Sequence, residues 1–172
     1  MRRTRQDGFT LIELMIAVAI LGILTGILVL SFSKPTRKVK SKSEVNAMFA
    51  EMHRAQSQYA LEHGRYYSTG ESADDIYPST LSEAAQEIDA PEEWTTLRIQ
   101  PTAQRLMCGY VTIAGTADDE LPDVATDFGM EQPAGNWYVL FARCNADNNT
   151  AVDGTYFSSS VDATLMSQND GR

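Results

Sequence analysis

The sequence predicts an α+β chain, with one long N-terminal helix laid on a C-terminal antiparallel sheet of about four strands. Three observations predict it. From Phe9 to Phe32 the residues are apolar or small, with one formal charge at Glu13. From Val45 onward, apolar residues recur at i, i+3, i+4 and i+7, the signature of a one-sided helix. After Pro91, β-rich runs alternate with turn-forming or acidic loops.

Met1 to Gly8 is a basic octapeptide with three arginines. The apolar run behind it is long enough to cross a hydrocarbon core of about 30 Å at about 1.5 Å rise per residue. It is too long for a secretory h-region of about 7–15 residues, and no small-x-small cleavage site follows it. Glu13 is the anomaly. A carboxylate within a membrane helix costs on the order of 3 kcal/mol and points to function. Near the helix start, however, the helix dipole also favours an anion. Gly22-Ile23-Leu24-Thr25-Gly26 forms a G-x-x-x-G that lets helices approach closely in lipid.

The string Gly8-Phe9-Thr10-Leu11-Ile12-Glu13 resembles the class III signal of type IV pilins and pseudopilins. The resemblance is dense from Gly8 to about Leu24. It implies a type IV pilin-like fold. It also implies that a prepilin peptidase cuts between Gly8 and Phe9 and methylates the new amine of Phe9. Glu13 would then pair with the Phe9 amine of a neighbouring subunit in a filament, because two charges buried in lipid each need a partner. Gly22 falls where the family has a glycine that loosens the helix. Many type IV pilins have a proline eight residues later, where this chain has Leu30; its first proline is Pro35.

Segment by segment, residues 1–8 read as the leader and 9–32 as the membrane and assembly half of the helix. Residues 33–63 are its amphipathic half, with Pro35 expected to bend it. A basic run, Lys34 to Lys42, suits lipid headgroups, a neighbouring acidic domain or plain solvent. The stripe Val45, Met48, Phe49, Met52, Ala55, Gln56 and Tyr59 should pack on the sheet, with Gln56 its polar exception. His63-Gly64 offers a helix stop. Residues 64–91 read as the loop between helix and sheet. Within it, Thr80-Leu81-Ser82-Glu83 is a capping box opening a short helix to about Ile88. Residues 92–172 hold the expected strands Trp94–Gln100, Arg105–Ala114, Asn136–Arg143 and Gly154–Val161, one face covered by the helix.

The overall charge of −9 is unevenly placed. Residues 1–54 carry nine Lys/Arg against four Asp/Glu, a balance of +5. The remainder carries five against nineteen, a balance of −14. Such an acidic region argues against general binding to nucleic acid. Charge counting across the apolar run would place the C-terminal part in the cytoplasm, because more basic residues follow the run than precede it. The resemblance implies the reverse: a cytoplasmic N-terminus, a single pass of the inner membrane, an extracytoplasmic C-terminal domain, and then a surface pilus. In that compartment Cys108 and Cys144 pair by default, two free buried thiols being the alternative. A bond between them would close a loop of about 36 residues, worth about 3–4 kcal/mol.

No catalytic constellation stands out. His53 and His63 lie on or beside the helix without a nucleophile signature, and His53 reads as a helix-surface residue. Asp74-Asp75 and Asp118-Asp119-Glu120 read as solvated loops. Asp147, Asn149 and Asp153 carry oxygens suited to Ca²⁺, but their spacing misses the EF-hand loop and Asx residues are ordinary turn formers. The reading is therefore no enzyme, no metal and no cofactor. The chain lacks a P-loop, so the resemblance implies that a motor ATPase and an inner-membrane platform drive assembly with other pilins. The leading reading is a major or minor pilin of a type IV pilus serving motility, adhesion or DNA uptake. The alternative is a pseudopilin of a type II secretion system. A bitopic receptor or envelope enzyme would leave Gly8, Phe9 and Glu13 unexplained. Replacing Gly8 with a bulky residue should leave uncut precursor in the membrane, visible as a slower band on immunoblots. Full processing of that variant would contradict the cleavage site.

Overall fold

A computed structural model describes residues 11–81, 85–101, 103–145 and 153–169, with the backbone alone over 25–38. The chain forms two units, residues 1–36 and 37–172. Helix α1, Leu11–His63, contributes to both and runs through Pro35. It stops where expected. Gly64 takes φ +70°, and its N–H donates to the Ala60 carbonyl at 2.8 Å. That left-handed turn favours a residue without Cβ.

In the second unit a four-stranded antiparallel meander runs β3 (Cys108–Gly115), β4 (Trp137–Cys144), β5 (Gly154–Ser159), β6 (Met166–Gln168). A separate two-stranded ladder joins β1 (Gln86–Glu87) to β2 (Arg105–Leu106). The predicted stripe of α1 covers one sheet face. Val45, Met48, Phe49, Met52 and Ala55 are buried against Cys108, Tyr110, Tyr138, Leu140, Ala142 and Tyr156. The other face is covered as well. Val111, Ile113, Trp137, Val139, Phe141 and Phe157 pack with Ile76 from the helix–sheet loop and with Val124 and Ala125. The last two belong to α3, Asp123–Asp127, which the sequence reading did not foresee. Burial on both sides explains why Trp137–Ala142 reads as an unbroken apolar run rather than an alternating one.

Several expectations need correction. Trp94–Gln100 is not a strand; Glu92–Leu97 forms helix α2. Pro91 precedes its first turn, Glu92 and Glu93 face the positive helix end, and Trp94 and Leu97 reach the core one turn apart. Met166–Gln168 supplies the fourth strand instead. The short helix expected from the capping box does not extend to Ile88, since Gln86 and Glu87 pair as a strand with Leu106 and Arg105. Residues 82–84 of that helix lie outside the described residues. The run from Arg105 is broken at Met107 into β2 and β3.

Residues 68–81 run along the outer edge of β3. Tyr77 and Tyr110 exchange two backbone hydrogen bonds of 2.9 Å. Thr69 N–H donates to the Thr112 carbonyl (2.8 Å), and Thr69 Oγ1 accepts from Thr112 N–H (3.1 Å). Ser68 Oγ accepts from Ala114 N–H at 2.8 Å. The loop comes so close at the cis Tyr77–Pro78 bond that a Cβ on Gly109 would lie 2.6 Å from the Pro78 carbonyl oxygen. Gln56, fully buried, ties this loop to the helix. Its Nε2 donates to the Tyr67 carbonyl (2.6 Å) and to Thr112 Oγ1 (2.9 Å), and its Oε1 accepts from Tyr67 N–H (3.0 Å). Gln56→Leu keeps the volume but strands these partners. It should lower the free energy of unfolding by about 2–3 kcal/mol, measured by denaturant titration.

Candidate functional site

The first unit presents the feature that calls for a function. Between Leu11 and Leu24, ten large apolar side chains are at least half exposed, Leu11 at 78%. They occupy every face of the helix. Covering one such side chain is worth about 1.5–3 kcal/mol, so water is the wrong medium for the whole surface. Lipid or other apolar helices are the media that fit. Glu13 lies in the first turn of α1. Gly22 lies within this segment, and a Cβ added there would meet open space. Gly8 and Phe9 lie outside the described residues. Among the described residues no helix is long and apolar enough to cross a membrane. The described side chains of the apolar run end at Leu24, short of the about 20 residues a span needs.

In the second unit, two polar groups of α1 reach the sheet, Glu44 and His53, and a third, Glu51, reaches the backbone after α2; sequence reasoning gave them no role or the wrong one. Glu44 accepts from Met107 N–H (2.9 Å), Cys108 N–H (3.0 Å) and Tyr110 Oη–H (2.8 Å). It thereby fills the break between β2 and β3. Burial raises its pKa above the ordinary value, opposed by these hydrogen bonds. Glu51 accepts from Gln100 N–H (2.8 Å) and from Arg54, and the Arg54 bond holds its pKa down. His53 is not a plain surface residue. Its Nδ1 lies 2.6 Å from Tyr138 Oη and its Nε2 lies 2.8 Å from Ser158 Oγ, linking α1 to β4 and β5. Burial lowers its pKa. The available signal was position: Glu44 and His53 each adjoin a buried member of the stripe, Val45 and Met52.

Cys108 and Cys144 are bonded directly across the β3–β4 pair, with Cα atoms 4.4 Å apart. That spacing is typical of a non-hydrogen-bonded antiparallel pair. Asp153 is half-buried at the start of β5, while Asp147 and Asn149 lie outside the described residues. Among the described residues no group of three or more His, Cys, Asp or Glu is arranged to hold a metal ion.

Residues 3–29 match the family described as the prokaryotic N-terminal methylation motif. The chain carries that motif. A further similarity is to the type II secretion system core protein G of Aeromonas hydrophila, 34% identical over 74 residues. The match covers 43% of this chain and 51% of that protein, so the chain spans about half the length of the curated relative it matches. No solved structure gives a significant match. The motif and this relative accompany a pilin-like arrangement, an N-terminal helix packed on a C-terminal antiparallel four-stranded sheet.

The His53 contacts generate a pH dependence. A folded-state pKa below the ordinary 6.5 means that the unfolded chain binds more protons there. The stability this group contributes is present above that pH and is lost as pH falls through 6.5. Glu44 has the opposite sign, because its raised pKa favours the fold at low pH. The difference between wild type and His53→Gln isolates the histidine. Denaturant midpoints of the wild type should fall more steeply than those of the variant as pH drops through 6.5.

Proposed function

We propose that this chain is a structural subunit of a type IV pilus, polymerised through the apolar helix that begins near Phe9. The observation that carries the reading is the segment Leu11–Leu24, apolar and exposed on every side, inside a methylation motif. On this reading a prepilin peptidase removes residues 1–8, and Phe9 becomes a methylated N-terminus. The helix anchors the subunit in the inner membrane with its N-terminus cytoplasmic and its second unit extracytoplasmic. Assembly moves the helix from lipid into a bundle of like helices, which keeps its apolar surface covered throughout. Glu13 pairs with the Phe9 amine of a neighbour, and Gly22 lets neighbouring helices approach. The platform and motor ATPase supply the force, and the fibre supplies motility, adhesion or DNA uptake.

The name of the Aeromonas hydrophila relative favours a second reading, a pseudopilin of a type II secretion system. The two share subunit chemistry and differ in where the polymer is found. Mass spectrometry of sheared surface fibres and of the remaining envelope separates them. A methylated Phe9 peptide in the fibres supports the pilus. The same peptide confined to the envelope supports the pseudopilin, and a mature peptide starting at Met1 overturns both. Glu13→Ala should still insert and be cut. Loss of one partner from a buried pair costs about 3–5 kcal/mol, enough to reduce incorporation by well over about tenfold. Normal incorporation would refute the pairing.

A further inference from the structure

A groove opens between α3 and the last two strands of the sheet. Phe128 and Phe157 stack at its base with ring centroids 4.9 Å apart. Met130, Met166 and Val161 complete an apolar lining. Glu131 and Asp162 line it with carboxylates, and both residues are exposed. Val161 itself is 68% exposed. The groove therefore fits an apolar side chain flanked by cations.

This chain carries such a side chain. Apart from Leu11–Leu24, the described large apolar residues that stand exposed are Val39, Leu61 and Val161. Val161 belongs to the groove. Leu61 has no cation beside it in the chain: its neighbours are Ala60 and Glu62, and Glu62 is already paired with Arg98 at 3.0 Å. Val39 is 68% exposed and lies between Lys38 and Lys40 in the run Arg37-Lys38-Val39-Lys40-Ser41-Lys42. A basic segment within residues 9–54, which carry six Lys/Arg against three Glu, would thus meet a region of balance −14.

We propose that this groove receives the Arg37–Lys42 segment of a second copy of the chain, with Val39 seated against Phe128, Met130, Val161 and Met166 and Lys40 against the carboxylates of Glu131 and Asp162. The inference rests on the polymer proposed above and adds a second contact to it. Opposite charges fix the register and orientation of such a contact more than its strength. The apolar insert excludes water from it. Because the rim is exposed, the ionic part should weaken as salt rises.

Disulfide trapping in assembled material tests it. Full-length Val39→Cys and full-length Val161→Cys are co-expressed, and polymer is collected by shearing and from the envelope. Mild oxidation should give a crosslinked dimer of one copy of each variant. Co-expressed Leu61→Cys and Val161→Cys should give none. Polymer of normal yield without the Val39–Val161 dimer overturns the groove contact and leaves the subunit reading standing. A Leu61–Val161 dimer of equal yield also overturns it, because the contact would then lack specificity. Failure of the wild-type chain to appear in any polymer overturns both. As an independent check, Lys40→Glu should reduce the crosslink, and Glu131→Lys in the groove-bearing copy should restore it. A Lys40→Glu crosslink of undiminished yield would overturn the charge pairing.

Discussion

The second unit depends on how β3 is held. It is an edge strand, with β4 on one side and, among the described residues, no strand on the other. An edge with unpaired backbone groups invites pairing with foreign strands. Here Cys108, Tyr110, Thr112 and Ala114 turn backbone groups outward, and non-strand partners answer them in sequence: Glu44, Tyr77, Thr69 and Ser68. The first comes from the helix and the others from the loop that follows it. The same strand gives one face to the α1 stripe and the other to the packing around Ile76 and Ala125. Helix, loop and sheet therefore depend on one eight-residue strand.

The helix divides its surface along its length. Up to Leu24 it shows apolar side chains on every face, which suits a medium of lipid or like helices. From Ser41 to Gln56 it buries one stripe and keeps most charged residues outside, with Glu44 half-buried against the β2–β3 break. The second part serves the fold, the first part suits an apolar surrounding, and one continuous helix, Leu11–His63, contains both.

Much of this was legible in the sequence because it rests on periodicity. Val45, Met48, Phe49, Met52, Ala55 and Gln56 all fall on the buried side, and β3, β4 and β5 lie where apolar runs stood out. The misreadings share a cause: tertiary context outweighed local preference. Trp94-Thr95-Thr96 has β-forming residues, yet Pro91 and two glutamates start a helix there, and the core takes Trp94 and Leu97 on one side of it. Met166–Gln168 is too short to signal itself and exists as a strand because Thr155–Phe157 pairs with it. Nothing local marks His53 as a bridge to Tyr138 and Ser158, since those partners lie 85 and 105 residues away. The exposed N-terminal segment was the plainest feature to read, because its message lies in composition rather than packing.

The polar ties from α1 to the sheet at Glu44, His53 and Gln56 have a mechanical meaning. They are spread over twelve residues, or about 18 Å of helix. A pull along the helix axis would load them together, in shear, rather than open them one after another. The load would then pass into β3 and β4, which Cys108–Cys144 joins covalently at the end where Glu44 attaches. A pull on the helix would thus be shared by all three ties at the seam between helix and sheet.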